Sequence, residues 1–228
     1  MLTQYWMSKP AITLEKTALL KKAAAQMREK RIRMLPVTDC GKLCGIITDG
    51  EIKKVLQPDD SGPNAYMPGR WIPDIAVSDV MTKDVLCAHP DWTIEEVADL
   101  LLLNKISGAP VVDDAGTIIG VITQSDIFKS TLYLTGLRQR GVHLALVLED
   151  TPGSIMEIVN IIRQFDGRMA SILSTYDRAP NQYRNVYLRF YNVSRDRMDQ
   201  MLDILRGKAK LRYLVDHREN RRVIFAST

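Results

Sequence analysis

Two threonine–acid pairs stand at matching places in this chain, Thr48 with Glu51 and Thr123 with Asp126. Each pair follows a glycine-led, β-rich run, Gly45 to Thr48 and Gly120 to Thr123, and the acid falls where a helix should begin. A hydroxyl and a carboxylate at a strand-to-helix turn, beside backbone N–H groups that open a helix, suit a polar ligand with hydroxyls and phosphates. Catalytic patterns are missing: there is no Gly-x-Ser-x-Gly, no phosphate-loop lysine and no nucleophile with a matching histidine, so no catalytic residue is expected. Cys40, Cys44 and Cys87 and the single His89, His143 and His217 lack metal-ligand spacing, so no metal is expected either. The cysteines read as small apolar fillers, and their odd number fits a reducing compartment.

Positioning these pairs requires a repeated unit. Trp6-Met7-Ser8 is echoed by Val80-Met81-Thr82, and Met34-Leu35-Pro36-Val37 by Gly108-Ala109-Pro110-Val111, with the spacing slipping by one residue at the turns of Gly41 and Gly116. Each copy reads as a β-α-β-β-α unit. Leu19, Leu20, Ala23 and Met27 mark the first helix face. In the second copy Thr93 and Glu96 form a capping-box pattern ahead of Val97, Leu100 and Leu101. One unit cannot cover its own sheet, so two in tandem should share a core and create a cleft between pseudo-symmetric strands. The copies span 1–56 and 76–133, separated by a Pro/Gly-rich loop at 57–75 in which Tyr66, Met67 and Trp71 read as surface anchors.

After a linker at 134–141 the pattern changes, and residues 142–228 form a second module. Val142 to Leu148 predicts a strand, Ile155, Ile158, Val159, Ile162 and Phe165 a helix face, and Met169 to Tyr176 and Arg184 to Tyr191 two strands. Met198, Met201, Leu202 and Leu205 then stripe a helix stopped by Gly207, and Leu211 to Val215 closes the order β-α-β-β-α-β. That order predicts an antiparallel, ferredoxin-like sheet with both helices on one face. The tail from His217 onward has no place in it.

The composition, 46% hydrophobic and 25% charged, is that of a globular protein and argues against disorder. No apolar run is long enough to span a bilayer and Met1 to Pro10 lacks the character of a secretory signal, so no membrane association and a cytoplasmic location are expected. The net charge of +4 arises entirely beyond residue 140, where basic residues are interspersed with acids and no nucleic-acid motif accompanies them. A solvated surface, and no nucleic-acid partner, is the expectation.

The repeated Met-Thr start, the Pro-Val strand and the Gly-x-x-Thr-x-x-acid run together resemble the tandem cystathionine-β-synthase (CBS) domain pair, over residues 1 to 133. The resemblance implies a cleft for an adenosine-containing regulatory ligand: AMP, ADP, ATP or S-adenosylmethionine. It implies that Asp126 accepts from ribose hydroxyls with Thr123 beside it, that Ile106, Ser107, Ala109 and Pro110 frame the adenine, and that Thr82, Asp84 and Val85 add contacts. The matching set in the first copy is Arg31, Arg33, Leu35, Pro36, Thr48 and Glu51. There the longer Glu51 must retract to hold a ribose, which makes this the weaker site, while the two arginines suit a phosphate chain. A solvated basic run is the competing reading of those arginines.

The Asp150-Thr151-Pro152-Gly153 turn, set between a first strand and helix, resembles an ACT domain, over about residues 141 to 216. That resemblance implies a small effector, commonly an amino acid, at the turn. A purely dimerising domain is the alternative. The combination resembles acetoin-utilisation accessory proteins and implies a non-catalytic homodimeric regulator acting on a separate protein. A structural adaptor without ligands and an enzyme subunit are the other readings.

Overall fold

The computed structural model describes residues 1–55 and 72–225, so Tyr66, Met67 and Trp71 lie outside the described residues. The chain forms two compact units, Met1–Phe128 and Lys129–Thr228.

In the first unit, β1 (Leu14–Glu15), α1 (Leu20–Lys30), β2 (Met34–Asp39), β3 (Lys42–Thr48) and α2 (Asp49–Val55) make the first repeat. The second has α3 (Ile94–Leu103), β4 (Gly108–Val112) and β5 (Ile118–Thr123), followed by α4 (Gln124–Leu134). β2 pairs antiparallel with β3 and parallel with β1. β4 pairs antiparallel with β5, and the counterpart of β1 is reduced to one parallel bridge, Ala88 to Val111. Even the irregularities repeat, with register shifts at Val37/Thr38 and Val111/Val112. The capping box of α3 forms as its residue types require: Thr93 Oγ1 accepts from the Glu96 N–H at 3.2 Å, and Glu96 Oε2 accepts from the Thr93 N–H at 2.6 Å. The apolar stripes face inward, Leu20, Ala23 and Met27 against Leu35, Val37 and Ile47, and Val97 and Leu101 against Ala109, Val111 and Ile122.

The extended starts of the two repeats are exchanged. Met1, Trp6 and Met7 pack into the core of the second repeat, while Ile75, Val77 and Met81 pack into that of the first. The backbone follows the same rule: Leu2 bridges to Thr93 and Ser8 to Val121, and their images Ala76 and Thr82 bridge to Leu19 and Ile46. This exchange explains the glycine that opens each repeated run. A Cβ on Gly120 would stand 2.5 Å from Met7 Sδ and 3.0 Å from the Ser8 carbonyl oxygen, and a Cβ on Gly45 would collide with Met81. Gly120→Val is therefore expected to cost about 2 kcal/mol of stability through overpacking. Chemical denaturation of the variant checks this, and Gly116→Ala is a poor control because its φ of +75° strains any side chain.

The second unit contains β6 (Val142–Glu149), α5 (Ser154–Gln164), β7 (Arg168–Thr175), β8 (Tyr183–Tyr191), α6 (Met198–Arg206), β9 (Lys210–Asp216) and β10 (Arg221–Ile224). The sheet order is β10-β9-β6-β8-β7 and every pairing is antiparallel. Strand alternation sends Leu144, Leu146 and Leu148 of β6, with Val186, Leu188 and Phe190 of β8, into one core with Ile158 and Ile162 of α5 and Met201 and Leu205 of α6. The predicted β-α-β-β-α-β order is present, and the unassigned tail adds β10 to the edge of β9.

His143 lies on the opposite side of β6 from that core. Burial, then the neighbouring Arg189 and His217, push its pKa down to about 4. The unfolded chain takes up this proton near 6.5, so the unfolded state binds more protons between pH 6.5 and 4 and the unit loses stability as pH falls through that window. The drop in melting temperature between pH 7 and pH 5 is expected to be smaller in His143→Gln than in the wild type.

Candidate ligand sites

The two threonine–acid pairs form the same local structure. Thr123 donates to Asp126 Oδ2 twice, from its N–H at 3.1 Å and its hydroxyl at 2.7 Å. Thr48 donates its N–H to Glu51 Oε2 at 2.9 Å, and its hydroxyl to the same oxygen. Glu51 thus folds back so that its extra methylene does not change the pattern, and its other oxygen lies 3.8 Å from Lys54 Nζ. In each repeat the carboxylate sits in the first turn of a helix, where the backbone dipoles favour negative charge. Asp126 is only 4% exposed, whereas Glu51 is partly exposed. Two roles coincide in these acids: each ties a strand end to a helix start, and each presents an oriented carboxylate.

The strands bring the neighbouring candidates to the same turn. The Ser107 carbonyl accepts from the Gln124 N–H at 2.9 Å, and the Ile106 carbonyl from Gln124 Nε2 at 3.2 Å. In the first repeat the Arg33 carbonyl accepts from the Asp49 N–H at 3.0 Å. Ala109 and Leu35 are fully buried in their cores, so what they offer a ligand is backbone; Pro110 and Pro36 are buried beside them. The two repeats abut here, since Met34 Cε lies 3.0 Å from where a Cβ on Gly108 would stand.

Thr82 is placed by the exchange on the first repeat's sheet, where its N–H and carbonyl each bond Ile46 at 2.9 Å. Asp84, exposed, and Val85, partly exposed, follow as the chain runs from there to Ala88 on the second repeat. Arg31 and Arg33 are exposed, and Arg31 ends α1 in the left-handed conformation with φ +55°. Lys105 was not singled out from sequence, yet it stands at the matching position of the second repeat with φ +53°. Its signal was available in the repeat alignment, which places a cation beside both turns.

The second candidate site is the turn between β6 and α5. Asp150, Thr151, Pro152 and Gly153 line a depression of about 450 Å³ together with Met156 and Arg184. Gly153 is the N-cap of α5 with φ +88°, a conformation that glycine adopts without strain. Arg184, on β8, was not foreseen. It donates through Nε to Asp150 Oδ1 at 2.8 Å and through Nη2 to the same oxygen and to the Tyr176 hydroxyl, the latter at 2.5 Å. Its guanidinium lies 4.9 Å from the Tyr176 ring centroid, and Asp150 holds its pKa above the ordinary value. The depression therefore carries both signs of charge, with the N–H groups of a helix start beside them.

Two repeats of one β-α-β-β-α unit, each ending in a strand–helix turn closed by an acid, define a tandem-repeat module in the first unit. The chain matches the CBS domain over residues 2–58 and 77–133, half of its length, and belongs to the CBS-domain family. It is similar to the uncharacterized protein MJ1426 of Methanocaldococcus jannaschii, at 30% identity over 58% of this chain and 92% of that protein. It is also 34% identical to the L-aspartate semialdehyde sulfurtransferase of the same organism, over 53% of this chain but only 21% of that enzyme. The crystal structure of the CBS domain pair of protein MJ0100, in complex with 5′-methylthioadenosine and S-adenosyl-L-methionine, is 32% identical over 57% of this chain and 95% of that one, with a TM-score of 0.49.

Proposed function

We propose that this chain is a non-catalytic regulatory sensor that binds an adenosine-containing ligand at the second CBS repeat and passes the result to a separate protein. The observation that carries the reading is the Asp126 carboxylate, buried and oriented by two bonds from Thr123 at the strand–helix turn. A carboxylate has about four lone-pair directions, and a charged acceptor holds vicinal ribose hydroxyls more firmly than a neutral one. Ser107 and Ile106, fixed by their carbonyls to the same turn, support the reading by offering backbone for an adenine to lie against. Lys105 adds a cation for a phosphate or a carboxylate.

In the second unit the ligand is a free amino acid, and the unit acts as an ACT domain. Arg184 suits its carboxylate, Asp150 suits its ammonium group, and the α5 start favours the anionic end. The protein works as a homodimer in the cytoplasm, and coupling requires each ligand to favour one arrangement of the modules. A thermal-shift panel of the twenty amino acids tests the second site. At least one is expected to raise the melting temperature, with affinity reduced about tenfold in Arg184→Met through loss of one charge-assisted pair. Equal responses of wild type and variant would count against this site.

A structural adaptor remains a distinct reading because both acids also serve as helix caps. It predicts no response to any adenosine compound.

A further inference from the structure

The face of the second unit's sheet that turns away from α5 and α6 carries a cross-strand row with two arginines and a histidine. Cross-strand register aligns Ser171 of β7, Arg189 of β8, His143 of β6, Val215 of β9 and Arg222 of β10. His217, two residues beyond Val215, completes the group, its own pKa lowered by burial and then by Arg189 and Arg222. Arg189 is 4% exposed. Its Nε donates to the Thr135 carbonyl at 2.7 Å, but its Nη1 is buried with no hydrogen-bond partner among the described residues. A buried guanidinium needs a counter-charge, because an unpaired buried ion is costly. Among the described residues none is in place: the groups that shift Arg189, His143 and His217 are each other, Arg222, Tyr213 and, for His217 alone, Asp216. Asp216 is engaged by Arg195 at 2.9 Å. His143 also stands edge-on to Tyr213, with ring centroids 5.6 Å apart, and 6.4 Å from Tyr187, so the row is flanked by phenol rings.

We infer that the Arg189–His143–His217 cluster is a binding site for a small oxyanion, a carboxylate or a phosphate, separate from both the CBS turns and the Asp150–Gly153 depression. The anion accepts from Arg189 Nη1, and Arg222, exposed on the same row, adds attraction at the rim. Removal of the mutual repulsion lets the imidazoles protonate more readily, so binding and proton uptake are coupled.

The test follows the His143 ring by NMR across a pH titration of the full chain, in chloride, inorganic phosphate or succinate at one ionic strength. The local signal separates this site from phosphate taken up at the CBS turns. Phosphate or succinate is expected to raise the His143 pKa by about one unit in a saturable way, and the stronger of the two names the ligand class. The effect is expected to vanish in Arg189→Met, which keeps the buried volume without the charge. Arg222→Gln, at an exposed position, serves if the first variant fails to fold, and is expected to weaken the anion about threefold. A His143 titration identical in all three salts would overturn the proposal and leave water as the partner of Nη1, and so would a response equal in wild type and both variants.

Discussion

Asp126→Asn is expected to weaken binding of the adenosine-containing ligand about a hundredfold, or ~2.7 kcal/mol, the worth of one or two hydrogen bonds to a charged acceptor. Asparagine keeps an oxygen that accepts from the Thr123 N–H and hydroxyl, so the helix start is largely preserved. The melting temperature of the unliganded protein should then shift by only a few degrees. Asp126→Ala removes both functions and is the less informative change. Glu51→Gln is expected to have a smaller effect on affinity, because Glu51 is more exposed than the buried Asp126. Calorimetry on the two variants checks both expectations. Equal losses would mean that the repeats are equivalent sites, as their matching hydrogen bonds allow.

The second large effect concerns stability. Phe190→Ala removes a fully buried ring from the core shared by β8, α5 and α6 and is expected to cost about 3–5 kcal/mol. The chain forms two compact units, so the loss should fall on the transition of Lys129–Thr228 and leave that of Met1–Phe128 in place. Denaturant unfolding, followed separately by adenosine-ligand binding and by the signal of the His143 ring, distinguishes the two units. A single transition that moves as a whole would show that they unfold together.

Much of this was legible in the chain because it depends on local chemistry. The capping box at Thr93 and Glu96, the apolar stripes of α1, α3, α5 and α6, and the turns at Gly41 and Gly116 are decided by residues a few positions apart. So was the placement of each acid three residues after its threonine, in the first turn of a helix. The exchange of the repeat starts was not legible. Ser8 and Thr82 belong to similar short extended stretches, and nothing nearby states which repeat's strand each will bridge; the glycines at 45 and 120 record the answer only through the methionines that press on them.

The position of Arg184 was hidden for a similar reason. Its partner Asp150 is thirty-four residues away, and only the β6–β8 register brings them together. The retraction of Glu51 was foreseen as a difference between the sites, yet the folded side chain reproduces the bonds of Asp126. What still separates the repeats is burial, a narrower contrast than residue type alone suggested.

The most direct measurement is a calorimetric titration of the wild-type chain with AMP, ADP, ATP, S-adenosylmethionine and 5′-methylthioadenosine. At least one should bind saturably with a Kd below about 1 mM, more favourable than about −4 kcal/mol. Absence of heat and of any rise in melting temperature with all five at millimolar concentration would contradict the account and leave the Thr123–Asp126 turn as a helix cap alone.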